Sequence, residues 1–313
     1  MIKDRSIIVK SGGIRLDAAL LMEFPAATRT FIRAAVESGA ILLNGRRTHK
    51  GIKLKGGERI DISELLERED NAVIPVPDRK PDIVFEDDSL LAANKPAGMP
   101  VQPLSCRETG TLMNGIVAYY PECRPIGDRP LMAGALHRID ADTSGLVLVA
   151  RTESAFENLR AQFSEQTVEK TYLALVEGAV AVGGTLENEL LHDPTLPFCR
   201  MIDVKSRNAG PALAARARTF HAVTAFRPIG RCSVENEERT LLEITIFTGV
   251  THQIRAQLAL AGMHIINDRL YGAFAIENQT GHCLHALAAK FRHPASGDEC
   301  EIRTPLPGWA MIR

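Results

Sequence analysis

The chain has 313 residues, 45% apolar and 24% charged, with a formal net charge of −1. That is the composition of an ordinary globular protein of about two domains, long enough to bury a sizeable core. No apolar run of signal-peptide or membrane-span length is present, and six scattered cysteines (106, 123, 199, 232, 283 and 300) form no Cys-x-x-Cys pair, so a cytoplasmic protein with reduced thiols is expected.

A chain this close to neutral carries no global sign of a nucleic-acid partner, so any RNA footprint must be local. One lies near the start: between positions 15 and 59, nine Lys and Arg stand against four Asp and Glu, a difference of +5. The pattern from Arg15 and that over 28–39 predict two short helices. In the second, Phe31, Ile32, Ala35 and Val36 form an apolar stripe, while Arg29 and Arg33 share another face at i,i+4. Gly39 stops that helix. A strand then runs into an Asn44-Gly45 hairpin turn, and 58–62 alternates like its partner. Two arginines on one helix face would by themselves be a solvated surface. The segment as a whole resembles the small αL-type RNA-binding domain named after the fourth ribosomal small-subunit protein, with Thr28 where that family usually has Ser. The resemblance implies that Arg29 and Arg33, with Arg46 and Arg47 of the hairpin, hold RNA backbone, which gives salt-sensitive affinity more than sequence choice. An acidic run over 64–70 and three prolines within 71–81 predict an extended linker between a first domain, 1–70, and a second, 82–313.

The second domain opens over 83–101 as strand, Asp87-Asp88-Ser89 turn, strand and a Pro/Gly break containing Asn94-Lys95-Pro96-Ala97-Gly98. Its centre is His137-Arg138-Ile139-Asp140, followed by Thr143-Ser144-Gly145 and the apolar run 146–150, which reads as a buried strand. A carboxylate on the loop feeding such a strand is rigidly held yet reachable, as catalytic groups tend to be. Read alone, Asp140 could equally cap a turn and Arg138 be a surface charge. The nine-residue pattern His-Arg-Ile-Asp-x-x-Thr-Ser-Gly, however, resembles the signature of the RluA-type pseudouridine synthases, with Ile139 in place of the usual Leu. That resemblance implies isomerisation of uridine to pseudouridine in structured RNA. It makes Asp140 the catalytic residue, acting by covalent attack or by abstracting a ribose proton. A uridine in folded RNA must first be extruded, and Arg138 would fill the vacated stack.

The remaining segments extend the resemblance. Helix 153–166 places Phe156, Leu159 and Phe163 on one face as core. Strand 168–177 carries Lys170 and Tyr172. A lone strand Tyr is ordinarily cross-strand packing, but the resemblance implies that Tyr172 lies against the target uracil, its ring stacking and its hydroxyl open to proton transfer. Region 178–237 offers little: Gly210-Pro211 stands where the family has Gly-Lys, and Arg216, Arg218 and Arg231 read as a solvated strand face. Alternation over 240–247 predicts a strand, and Thr251 can cap a helix running to Ala261. Residues 249–255 resemble the family's Gly-Arg-Thr-His-Gln-Ile-Arg, with Val250 replacing the first Arg. The last, Arg255, is the one the resemblance pairs with Asp140. A guanidinium beside a partly buried carboxylate favours its charged form. Lys95 is expected to organise the loop near Asp140 rather than do chemistry, and Gln102 stands where the family has His. Segments 267–272, 284–294 and 304–309 follow the family's closing pattern.

His282, Cys283 and His285 with His252 or His264 could ligate a metal on paper, but no second closely spaced pair completes the usual zinc pattern. A Ser144/His137 hydrolase lacks the Gly-x-Ser-x-Gly elbow, and no phosphate loop is present. The expectation is therefore an α+β chain, a small αL-type RNA-binding domain followed by a catalytic domain with a mixed, largely antiparallel central sheet flanked by helices. It would be a cytoplasmic, monomeric RNA pseudouridine synthase with no metal, cofactor or membrane partner, acting on structured RNA, ribosomal RNA in preference to transfer RNA. A transfer-RNA synthase, or a non-catalytic RNA-binding or ribosome-assembly factor on the same fold, is the alternative. The factor would predict loss of Asp140, Tyr172 or Arg255, and all three are present.

Overall fold

The computed structural model describes residues 1–67, 70–193, 195–196, 199–206, 217–234, 237–273 and 280–311. The chain divides into two compact units, Met1–Ala72 with Leu104–Cys106, and Val73–Pro103 with Arg107–Arg313.

In the first unit, α1 (Leu16–Glu23) and α2 (Arg29–Ser38) accompany an antiparallel sheet in which β3 (Arg59–Leu65) lies between β1 (Ile2–Ile8) and β2 (Ile41–Leu43). The signals that set α2 are local. The Thr28 hydroxyl accepts from the Phe31 amide at 3.2 Å, and Gly39 ends the helix at φ 84°. Ile32, Ala35 and Val36 reach the core beside Leu16, Leu20, Ile60 and Ile62, while Phe31 is only partly buried. Asn44 and Gly45 both take positive φ, 49° and 72°, as a two-residue hairpin turn requires. The Asn44 side chain also accepts from the Arg59 amide at 2.8 Å. Strand β1 escaped the sequence reading because Lys3 to Ser6 are all exposed and no apolar alternation marks it.

In the second unit the strands are β4 (Ile83–Glu86), β5 (Leu90–Lys95), β6 (Ser144–Ala150), β7 (Glu169–Glu177), β8 (Gly184–His192), β9 (Met201–Asp203), β10 (Phe220–Val234), β11 (Glu237–Ile246), β12 (Leu284–Arg292) and β13 (Glu299–Arg303). They form one sheet in the order β4-β5-β6-β12-β7-β11-β10-β8-β9, with β13 added to β12. Every described pairing is antiparallel except β6 with β12. Helices α3 (Leu112–Tyr119), α4 (Glu153–Ser164) and α5 (Gln253–Leu260) are the α-helices among the described residues of this unit. The apolar run 146–150 is buried throughout because β6 lies deep in the sheet between β5 and β12.

The β6–β12 contact places the site. Ser144 is opposite His285 and Gly145 opposite Ala286, which in turn is opposite Tyr172 on β7. Gly145 sits at φ 108°, and a β-carbon there would overlap the Ala286 carbonyl. Only glycine lets the two strands meet, so the loop feeding β6 ends one strand away from Tyr172.

The Pro-rich stretch read as linker 71–81 lies, from Val73 on, along the second unit. Val73 is fully buried in that unit's core. The Ile74 carbonyl accepts from the Asn114 side chain at 2.8 Å, the Val76 amide donates to the Asn114 carbonyl at 2.9 Å, and the Tyr119 hydroxyl donates to the Pro77 carbonyl at 3.0 Å. Its proline-rich composition reads as spacer; its backbone bonds make it a strap on α3.

Candidate active site

The loop between His137 and Thr143 is held at several points, each by a group whose chemistry suits a buried position. The His137 Nε2 accepts from the Leu148 amide at 3.1 Å, and its ring stacks on Phe163 with centroids 5.1 Å apart. Burial, then the neighbouring Lys170 charge, pushes His137 down to about 3, so it is a neutral acceptor. The Thr143 amide donates to the Asp140 carbonyl at 3.1 Å, and the Thr143 hydroxyl bonds His282 Nε2 at 2.7 Å. Lys95 is completely buried at the end of β5. Its Nζ donates to the carbonyls of Pro96 (2.9 Å), Met99 (2.7 Å) and, across to the other loop, Ala141 (2.8 Å). Burial pushes the Lys95 ammonium down to about 7 while Asp140 and Asp142 pull it back up. Three acceptors match the three donors of an ammonium.

On this loop the Asp140 carboxylate is partly exposed and faces Arg255 of α5. Arg255 Nη1 donates to Asp140 Oδ2 at 2.7 Å; Nε and Nη2 donate to the two oxygens of Asp268 at 2.7 and 2.9 Å. The planar guanidinium is thus fixed by a bidentate pair on one edge and aims its remaining nitrogen at Asp140. Both Arg255 and Asp268 are buried. Burial alone would push the Asp268 carboxyl up, but the bonds and charge of Arg255 outweigh it and hold it below the usual carboxylate range. The Tyr271 ring lies under the guanidinium, its centroid 5.2 Å from Cζ.

Beside them, His252 Nε2 is 3.7 Å from Asp140 Oδ2 and Nδ1 is 3.2 Å from the Tyr271 hydroxyl, which accepts from the Met201 amide at 2.9 Å. Burial lowers the His252 pKa, with Asp140 partly restoring it. On β7, burial raises the Tyr172 phenol well above its ordinary value and the Asp140 charge raises it further, so the hydroxyl keeps its proton. Two residues before it, Lys170 donates to the carbonyls of Phe247 (3.0 Å) and Thr248 (2.9 Å). Lys170 therefore ties β7 to the loop before α5. Arg138 is exposed and makes no ion pair among the described residues.

Several expectations meet a different geometry. Thr251 does not cap α5. His252 takes the cap position in a left-handed conformation at φ 52° with no side-chain cap bond, and the Gln253 side chain accepts from the Val250 amide (3.2 Å) and the Thr248 hydroxyl (2.9 Å), tying the preceding loop to the helix. Val250 packs beside Leu190, Met201, Ala256 and Tyr271, an apolar prop under the site rather than a charged contact. Ser144 bonds His285 Nδ1 at 2.8 Å, not His137. His285 spends its other nitrogen on Thr304 at 2.8 Å, so no serine–histidine–aspartate relay exists there. His264 Nδ1 lies 2.7 Å from the Tyr271 carbonyl oxygen, and no three His, Cys, Asp or Glu side chains among the described residues group as a metal site. Arg231 donates to the Val180 carbonyl at 3.0 Å and Arg218 lies over the Phe220 ring. Gly210, Pro211 and Arg216 are outside the described residues. In the first unit Arg29, Arg33, Arg46 and Arg47 are exposed; Arg33 pairs with Glu37 at 2.8 Å, and Arg47 reaches the Ser38 carbonyl at 3.4 Å.

Residues 89–260, more than half of the chain, match the family model described as RNA pseudouridylate synthase. The chain belongs to the RluA-type RNA pseudouridine synthases. As such it is an isomerase, which sets aside the hydrolase and non-catalytic readings. The synthase is 32% identical over 313 residues to a protein of Neisseria meningitidis serogroup A named ribosomal large subunit pseudouridine synthase D, covering 96% of this chain and 78% of that one. It is 32% identical over 309 residues to the protein of that name from Escherichia coli O157:H7, covering 94% and 88%, and 33% identical to the Bacillus subtilis uncharacterized RNA pseudouridine synthase YlyB, covering 90% and 86%. The fold is shared with human RNA pseudouridylate synthase domain containing 1, at a TM-score of 0.59 and 22% identity over 74% of the synthase and 86% of the human chain. No described helix of the synthase is long and apolar enough to cross a membrane.

Asp268 and Tyr271 were quoted in the sequence only as part of a closing pattern, without a role. Their signal is weak because the Arg255–Asp268 pair spans thirteen residues, and it forms only once the chain folds back after α5.

Proposed function

We propose that this synthase converts uridine to pseudouridine in large-subunit ribosomal RNA, with Asp140 as the catalytic group. The observation that carries the reading is the buried Asp268–Arg255–Asp140 chain, in which a doubly anchored guanidinium presents one partly exposed carboxylate to solvent. The reaction breaks the bond from ribose C1′ to uracil N1, turns the base, and rejoins C1′ to C5; the C5 proton is released to solvent and N1 takes one up. Asp140 acts on the ribose, as nucleophile at carbon or as base toward a ribose proton; either role needs an ionised carboxylate held in one orientation. The Tyr172 ring, rigid on β7, supports the extruded uracil, and its protonated hydroxyl serves as a hydrogen-bond donor. Arg138, next to Asp140 and free of an ion pair among the described residues, fills the gap in the RNA stack.

Ribosomal RNA is favoured over transfer RNA by the names of the relatives and by the local charge of the first unit. That unit is taken as an αL-type RNA-binding domain in which Arg29, Arg33, Arg46 and Arg47 follow the phosphate backbone. Tritium release from transcripts labelled at uridine C5 tests the substrate class. The expected outcome is release from large-subunit ribosomal RNA and none from transfer RNA at equal concentration; release from transfer RNA alone would overturn the assignment.

A further inference from the structure

One charged side chain near the site makes no ion pair among the described residues. Arg200 lies at the base of the β8–β9 hairpin, where the Asp193 amide donates to its carbonyl at 2.8 Å. The next residue, Met201, donates its amide to the Tyr271 hydroxyl at 2.9 Å, so the backbone carrying Arg200 is pinned to the ring that underlies Arg255. The Arg200 guanidinium stacks on that same ring, with Cζ 5.7 Å from the centroid. Its Nε is buried without a hydrogen-bond partner, and Arg200 makes no ion pair among the described residues. Asp193, the nearby acid, has one oxygen committed to the Thr195 amide and hydroxyl at 2.9 and 2.6 Å.

The two guanidiniums on the Tyr271 ring thus differ. Arg255 bonds two carboxylates directly; Arg200, with only the charge of Asp193 nearby, bonds none among the described residues. A buried donor left without a bond is costly, and an arginine without an ion pair among the described residues, stacked on the ring that underlies Arg255, fits an anion brought by the substrate. Among the groups of an RNA nucleotide, only the phosphodiester is anionic, and its two free oxygens match the fork. We propose that Arg200 is a substrate-binding residue that clamps the phosphodiester next to the target uridine, steadying the extruded nucleotide over Asp140. This rests on the reading of Asp140 as the catalytic group.

The test is binding of the large-subunit ribosomal RNA transcript by wild type, Arg200→Ala and Arg200→Lys over a series of potassium chloride concentrations, with tritium release measured alongside. Arg200→Ala should weaken binding on the order of tenfold and flatten the slope of log affinity against log salt by about 0.7–0.9, the share of one phosphate. Arg200→Lys should keep most of the slope. An unchanged slope in Arg200→Ala, whether or not tritium release falls, would overturn the assignment and leave Arg200 a prop for Tyr271. If Arg200→Ala fails to fold, the lysine variant decides: a slope as flat as that of a protein lacking one contact would contradict a phosphate clamp. Wild-type tritium release is read in the same samples, so failure of the catalytic reading is seen separately from failure of the clamp.

Discussion

The Asp140 carboxylate, proposed as the catalytic group, is oriented through Arg255 by a residue with no role toward substrate, Asp268. Asp268 is buried, its partner Arg255 is buried, and the remaining nitrogen of Arg255 is the one that meets Asp140. Asp268→Asn removes one charge from a buried pair, which typically costs about 3–5 kcal/mol, and frees the guanidinium to turn. The expected result is a fall of at least about tenfold in single-turnover rate, one tenfold step being about 1.4 kcal/mol of barrier. RNA affinity should be nearly unchanged and the melting temperature lower. Wild-type rate in this variant would show that Arg255 needs no anchor. The pairing of Arg255 with Asp140 was legible because both sit in motifs of a known family; no spacing rule joins residues 115 apart. Asp268 and Tyr271 were not legible, since Asp268 acquires its role only by pairing with Arg255 and Tyr271 only by lying under that guanidinium.

At the scale of elements, the segments that could be read are those whose signals are local. The α2 helix has its Thr28 cap, its Gly39 stop and its apolar stripe within one short window. The 146–150 run announces a strand because burial on both faces leaves no polar position to obscure it. The start of α5 differs from the expected threonine cap because a left-handed histidine holds that position without a side-chain cap bond, and no local residue pattern marks it. Strands β8 and β10 were invisible because β8 alternates only between half-buried and exposed positions over its first six residues. The join between β5 and the Asp140 loop depends on one buried ammonium, Lys95, with acceptors on both segments. Replacing it by Met leaves the carbonyls of Pro96, Met99 and Ala141 without that donor and buries no ammonium in exchange. Lys95→Met should therefore lose at least about 2 kcal/mol of stability, several degrees in Tm, and lower the rate because Ala141 is next to Asp140. A variant with unchanged Tm would contradict the structural role given to Lys95.

For the whole molecule, three histidines held as neutral bonding groups, His282 and His285 buried and His137 half-buried, set an acid limit. Burial holds His137 at about 3 and His282 and His285 at about 4, all below the free value near 6.5. Between those values the unfolded chain binds protons that the folded chain refuses, so stability is full above about pH 6.5 and falls as pH drops toward 4. Each such histidine contributes a slope of at most about 1.4 kcal/mol per pH unit within that window. Denaturant unfolding from pH 7.5 to 4.5 should show the decline, and His285→Gln, which can still bond Ser144 and Thr304, should flatten it by about one proton. A pH-independent midpoint across this range would contradict the neutral-histidine account.

The central claim is that Asp140 performs the isomerisation and that the rest of the network exists to hold it. The most direct measurement is single-turnover tritium release from ribosomal RNA labelled at uridine C5, with wild type and Asp140→Asn side by side and RNA binding recorded for both. Asparagine fills nearly the same volume and can still meet Arg255, so the fold and RNA affinity should persist while release disappears. Release at the wild-type rate from Asp140→Asn would contradict the account and move the chemistry to another residue of the cleft.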